Sequence, residues 1–133
     1  MKLVALDFGR ARTGVAVSDP TGTLARPLCV VERAGTEDGL ARLAALIAEE
    51  GAARVVVGLP LTLRGDRGEQ ARETEAFVEA LAAVTDVPVV TFDERFTTDL
   101  AEQATGQTSA DEDARAAAHL LTSYLAWSTS ARA

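Results

Sequence analysis

"ALDFGRARTGVAVSD", residues 5–19, decides how the rest of this chain is read. The apolar run "KLVAL" ends in a carboxylate, Asp7, where it meets a loop containing Gly9 and Gly14. A second strand-like run, "GVAVSD", follows almost at once. A connection this short makes the two strands antiparallel neighbours. Asp7 keeps the parity of Leu3 and Ala5, so an acid continues a row of buried side chains. Burying an unpaired charge costs several kcal/mol, so a carboxylate there needs a partner or a task.

Working outward, residues 2–8, 13–18 and 27–32 predict three strands in a meander, the last two joined by the turn "DPTGT" around Gly22. Leu40, Leu43, Ala44 and Ile47 recur at helical spacing over 37–50, and Gly51 stops that helix. "RVVVGL" (54–59) is a continuous β-branched run, as expected of a central strand covered on both faces. The loop "PLTLRGDRG" leads to a helix over 69–83, with Phe77, Val78 and Leu81 inward. "VPVVTF" (87–92) is a fifth strand. A short helix around 98–105 and a longer one over 110–127 complete the order βββαβαβαα. Ser109 and Glu112 form a capping box for the last helix, and Thr97 and Thr98 read as caps. The expectation is an α/β fold: one domain over residues 1–133, a mixed five-stranded sheet with helices on both faces.

The totals bound the function. The 133 residues suffice to bury about two-thirds of the unfolded surface. No apolar run reaches the ~18 residues of a spanning helix, and no signal-peptide pattern opens the chain, so a cytoplasmic protein without a membrane partner is expected. One Cys and one His exclude a disulfide framework and a Cys/His zinc cluster. The net charge is −7, and 12 of the 13 basic residues are Arg, which suits forked phosphate contacts. Residues 1–72 hold ten basic against nine acidic side chains, and residues 73–133 hold three against eleven. A general nucleic-acid binder is basic, so the charge argues against one, while an enzyme that uses metal ions to make an acidic pocket attractive to phosphate stays compatible.

Three acidic positions have apolar company. Asp7 is the first. Asp93 and Glu94 end the fifth strand at its C-terminal edge, where open α/β sheets place their sites. Asp113 is the third: at 100° per residue it lies within about 40° of Ala117, Leu120 and Tyr124, the stripe that docks on the sheet, whereas Asp111 lies about 160° away. Carboxylates converging on one edge call for a divalent counter-ion, and oxygen-only ligands point to Mg²⁺ or Mn²⁺. His119 is about 120° around the helix from Asp113 and is not placed to act as a base. Tyr124 reads as core, Trp127 as the helix's last packing residue, and Cys29 as a small strand hydrophobe.

The segments "LDFGRARTGVAVSD", "VVVGLPLTLRGDRGEQA", "VVTFDERFTT" and "DARAAAHLLTSYL" together resemble the YqgF/RuvX family over nearly the whole chain. That family has a ribonuclease-H-like fold, is Holliday-junction-resolvase-like, and is described as acting on pre-16S rRNA. The resemblance implies that Asp7, one acid of "DER" and Asp113 are catalytic and metal-binding. Asp93 and Glu94 both stay candidates, with Glu94 slightly favoured, because neighbours on a strand face opposite sides. Where the family often carries Asn-Met-Asp-Gly, this chain has Thr62-Leu63-Arg64-Gly65, which puts Arg64 in the loop. Arg10, Arg12, Arg64 and Arg67 are candidate phosphate contacts, and the glycines of the 60–68 loop could let backbone N–H groups approach an anion. Arg95 contacts substrate or pairs with an adjacent acid.

The expected activity is metal-dependent hydrolysis of phosphodiester bonds in structured nucleic acid, with pre-16S rRNA favoured and branched DNA the alternative. A ribosomal-subunit precursor is a candidate partner, and the protein is a monomer or a dimer. An actin-like phosphotransferase would need two such domains, and a non-catalytic assembly factor would not need the acids.

Overall fold

The computed structural model describes residues 1–62, 64–96 and 110–132. Five strands form one sheet: β1 (Leu3–Asp7), β2 (Arg12–Ser18), β3 (Ala25–Glu32), β4 (Arg54–Leu59) and β5 (Val89–Asp93), in the order β3-β2-β1-β4-β5. The β1/β2 and β2/β3 pairs are antiparallel, while β1/β4 and β4/β5 are parallel. The three parallel strands therefore end side by side, at Asp7, Leu59 and Asp93.

Helix α1 (Glu37–Glu50) begins where Thr36 Oγ1 accepts from the Gly39 N–H and stops at Gly51, whose φ of 63° is the left-handed cap conformation glycine favours. Helix α2 is Glu69–Ala82 and α3 is Ala110–Arg132. On one face, Val4, Leu6, Val15, Val55 and Val57 share a core with Leu43 and Ile47 of α1 and Phe77 and Leu81 of α2. On the other, Leu3, Ala5, Ala16 and Val56 pack under Ala117, Leu120, Leu121 and Tyr124 of α3. Both faces are covered, so the β4 residues 55–58 are all buried.

The expected order and the two-faced layering hold for the described elements. The expected helix at 98–105 and the caps at Thr97, Thr98 and Ser109 lie outside the described residues. The fifth strand starts at Val89 instead of 87, because Pro88 has no N–H to give and supplies only its carbonyl, to Val55 N. The last helix runs past 127 to Arg132. Trp127 stays half exposed, its ring 5.7 Å from Phe92 and 5.8 Å from Tyr124, so it edges the aromatic cluster rather than closing it. Cys29 is half-buried against the α1 face, and burial pushes its thiol pKa up.

Candidate functional site

Two glycines bring the acids to the strand ends. Asp7 is paired across β1/β2 with Gly14. A methyl group at Gly14 would fall on the Asp113 carbonyl and stand 3.0 Å from Ala114 N, so the first turn of α3 is seated on bare β2 backbone at that point. One residue beyond the Leu6–Val57 pairing of β1 with β4, Gly58 follows Asp7 on the same face. Its missing side chain leaves the space that Glu94 fills: a methyl there would be 2.6 Å from Glu94 Oε1 and 2.9 Å from Cγ. Glycines inside apolar strands signal such close approach, a signal that strand patterning alone passes over.

Asp7 and Glu94 open on a cavity of about 630 Å³ over the strand ends. Phe8 and Pro60 line it too, as do Arg10, Glu69 and Glu73, and Phe8 is stacked on Phe77 at 4.3 Å. Four acids against one arginine make its lining strongly negative. Glu69 and Glu73 were not among the residues singled out from sequence. Their i, i+4 spacing at the start of α2 was the available sign, since it puts both on one helical face.

The arginines have acidic partners. Arg10 Nε donates to Glu73 Oε2 at 2.9 Å, Nη2 bonds Glu73 Oε1, and Glu69 lies at 3.6 Å. The bond holds Glu73 below and Arg10 above their ordinary pKa values. Arg12 Nε lies 3.0 Å from Asp113 Oδ2. Arg95 forks onto Asp93, with Nη2–Oδ2 at 2.6 Å and Nε–Oδ2 at 2.9 Å, and its backbone N–H caps Asp93 Oδ1 at 2.9 Å. This fork holds the Asp93 carboxyl below its usual range. Of the two acids left open by sequence, Glu94 faces the cavity and Asp93 is held by Arg95. Arg67 lies 3.8 Å from Glu75, and Arg64 is exposed.

In the 60–68 loop, two backbone N–H groups are already taken up. The Gly65 N–H donates to Thr62 O at 2.8 Å and the Asp66 N–H to Thr62 Oγ1 at 3.0 Å, so both are spent within the turn. Gly65, at φ 84°, instead gives room to the Arg95 guanidinium.

Asp113 points inward as its periodicity requires; its side chain is 16 % exposed while Asp111 is at the surface. Burial pushes its carboxyl pKa up, more than the Arg12 guanidinium pulls it down. Despite the 3.0 Å approach of Arg12, Oδ2 is buried and accepts no hydrogen bond. Asp113 does not line the cavity that Asp7 and Glu94 share. Among the described residues, no three acidic, His or Cys side chains converge closely enough to hold one ion.

A family model described as RuvX, Holliday junction resolvase, matches residues 1–127. The chain belongs to the RuvX family. A relative from Chloroflexus aggregans is 50% identical over 101 residues, 76% of this chain and 71% of its own. Another, from Anaeromyxobacter sp. (strain Fw109-5), is 44% identical over 132 residues, covering 94% of this chain and 96% of its own. Both bear the name "Putative pre-16S rRNA nuclease". Among solved structures, Thermus thermophilus RuvC in complex with a Holliday junction superposes with a TM-score of 0.62 over 97% of this chain and 96% of that one, at 19% identity. That likeness shows the fold: this RuvX chain is ribonuclease-H-like. The described part of the RuvX chain has no helix long and apolar enough to cross a membrane.

Its donor chemistry fits a hard divalent cation. The candidate ligands are all oxygen. The cavity lining is negative in excess, and Asp113 keeps a buried oxygen with no hydrogen bond.

Proposed function

We propose that this chain is a divalent-metal-dependent nuclease that matures the 5′ end of pre-16S rRNA. One observation carries the reading: in a chain of this family, Asp7 at the end of β1 and Glu94 just past the end of β5, with β4 between them, open on a single acid-lined cavity. Asp7, Glu94 and Asp113 would hold Mg²⁺ or Mn²⁺. When bound, such an ion supplies Lewis-acid chemistry, activating water and offsetting charge on phosphate oxygens. Water adds across the P–O3′ bond, leaving a 5′-phosphate and a 3′-hydroxyl.

The protein's own residues position the strand. Phe8, stacked on Phe77, and Pro60 wall the cavity. Arg10 lines it from the β1–β2 loop and Arg12 opens β2 two residues on, where released guanidinium forks can hold the phosphates that flank the scissile bond. Arg64 and Arg67 extend the same track along the β4–α2 loop. Arg95, held by Asp93, fixes the strand end from which Glu94 projects. With a net charge of −7, attraction to naked RNA is weak, and a ribosomal-subunit precursor supplies the complementary surface. A flat salt dependence of binding to naked pre-rRNA is the expected result.

The second reading is cleavage of branched DNA, favoured by the resolvase description of the family. Both are tested by labelled RNA bearing the immature 16S 5′ end and a four-way DNA junction, each with Mg²⁺ or Mn²⁺. Wild type runs beside Asp7→Asn, Glu94→Gln and Asp113→Asn. Metal-dependent cutting of RNA, lost in all three variants, is expected. Preferential junction cutting selects the second reading. Activity that survives all three substitutions overturns the residue assignment.

A further inference from the structure

Three arginine–acid pairs lie about the strand ends, one of them in the cavity lining, and they differ in kind. Arg95 and Asp93 are locked by a fork and a backbone N–H. Arg10 and Glu73 share two hydrogen bonds. The Arg12–Asp113 pair leaves Oδ2 buried, at 3.0 Å from Arg12 Nε, yet accepting no hydrogen bond; it is the one such side-chain atom among the described residues. The charge is neutralised while that oxygen's lone pairs stay uncommitted. Coulomb attraction does not need alignment, whereas hydrogen bonding does.

The two partners also differ in freedom. The first turn of α3 is pressed on Gly14, so Asp113 cannot withdraw without unseating the helix. The Arg12 side chain is 34 % exposed and starts at the mouth of the β1–β2 loop. Its long stem lets the guanidinium reach outward.

We propose that Arg12 is a resident counter-ion that occupies Asp113 in the metal-free protein, competes with the divalent cation for that carboxylate, and passes to a phosphate of the bound strand when the cation takes its place. This rests on the metal-nuclease reading above. By linkage the exchange works both ways: a phosphate that engages Arg12 frees Asp113, and a cation on Asp113 frees Arg12. Metal and nucleic acid then bind with positive cooperativity, and Asp113 stays neutralised between turnovers.

The test is calorimetric titration of the whole chain with Mn²⁺, without nucleic acid, for wild type, Arg12→Gln and Asp113→Asn, together with thermal melts of each. Arg12→Gln is expected to bind Mn²⁺ about tenfold more tightly than wild type, since both the competitor and its repulsion are gone. The same variant melts below wild type without metal and recovers the difference at saturating Mn²⁺. A purely structural role for Arg12 lowers stability in both states and does not raise affinity. Equal or weaker Mn²⁺ binding by Arg12→Gln, where wild type does bind, overturns this inference and leaves the nuclease reading standing. No Mn²⁺ binding by either protein overturns both. A wild-type crystal structure with Mn²⁺ needs no variant: Arg12 Nε more than 4 Å from Asp113 supports the exchange, and the 3.0 Å contact retained refutes it.

Discussion

Replacing Gly58 by alanine should separate activity from stability. Its φ is unremarkable, so alanine adds no backbone strain there. The new methyl would stand 2.6 Å from Glu94 Oε1, 2.9 Å from Cγ and 3.1 Å from Cδ, where ordinary contact begins at 3.4 Å. The carboxylate must therefore give way by up to about 0.8 Å at its oxygen, and it can, because the obstacle is the end of a flexible side chain. The stability cost is small and is offset by the roughly 0.5–1 kcal/mol that alanine gains over glycine inside a strand. The catalytic cost is not small: a displacement approaching 1 Å at a reacting group costs on the order of 10²-fold. Urea unfolding of Gly58→Ala should then match wild type within about 1 kcal/mol, while cleavage of pre-16S RNA falls at least tenfold. Full activity in a stable Gly58→Ala protein would refute the placement of Glu94 in the site.

Gly14→Ala should behave differently. The obstacle there is the α3 backbone, so both activity and stability fall, the latter by about 1–3 kcal/mol in urea melts. Glu94→Gln should reduce cleavage by about 10²-fold or more, whereas Asp93→Asn, which loosens Arg95 instead of emptying the cavity, should cost less than about tenfold in the same assay. Asp19 gives a pH signature. The Thr21 hydroxyl and the Leu24 and Thr23 N–H groups hold its carboxyl at about 2, against an ordinary 3.8. A depressed folded-state value contributes stability above the unfolded pKa, and that contribution is lost as pH falls through the folded one. The Tm gap between wild type and Asp19→Asn should be full above pH 4 and close by pH 2; a constant gap counts against the turn bonds.

Where one periodicity dominated, the chain was legible. The β-branched run Val55–Val57 placed β4, and Gly51 marked the end of α1. The 100° step picked Asp113 over Asp111, and their unequal burial agrees with it. Pairings between elements distant in sequence were not legible. Nothing in "GRARTG" says that Arg10 meets Glu73 or that Arg12 meets Asp113, because those distances are set by how α2 and α3 dock. Gly58 and Gly14 read locally as strand glycines, and only the packed neighbour reveals what each makes room for. The loop glycines 65 and 68 suggested an anion cradle because composition does not show that Thr62 already takes the N–H groups of Gly65 and Asp66.

The seat of α3 on β2 has a consequence in time. Asp7 is made well before Asp113, which follows it by 106 positions. Contacts of such separation close late, after the local hairpin and helices have formed. A nascent or partly folded copy therefore holds the β1–β2 hairpin and its acid without the helix that carries Asp113. On the proposed assignment of Asp113 as a metal ligand, cutting power arrives only when α3 docks. The same assignment keeps the nascent chain harmless to the RNA around it until α3 is seated.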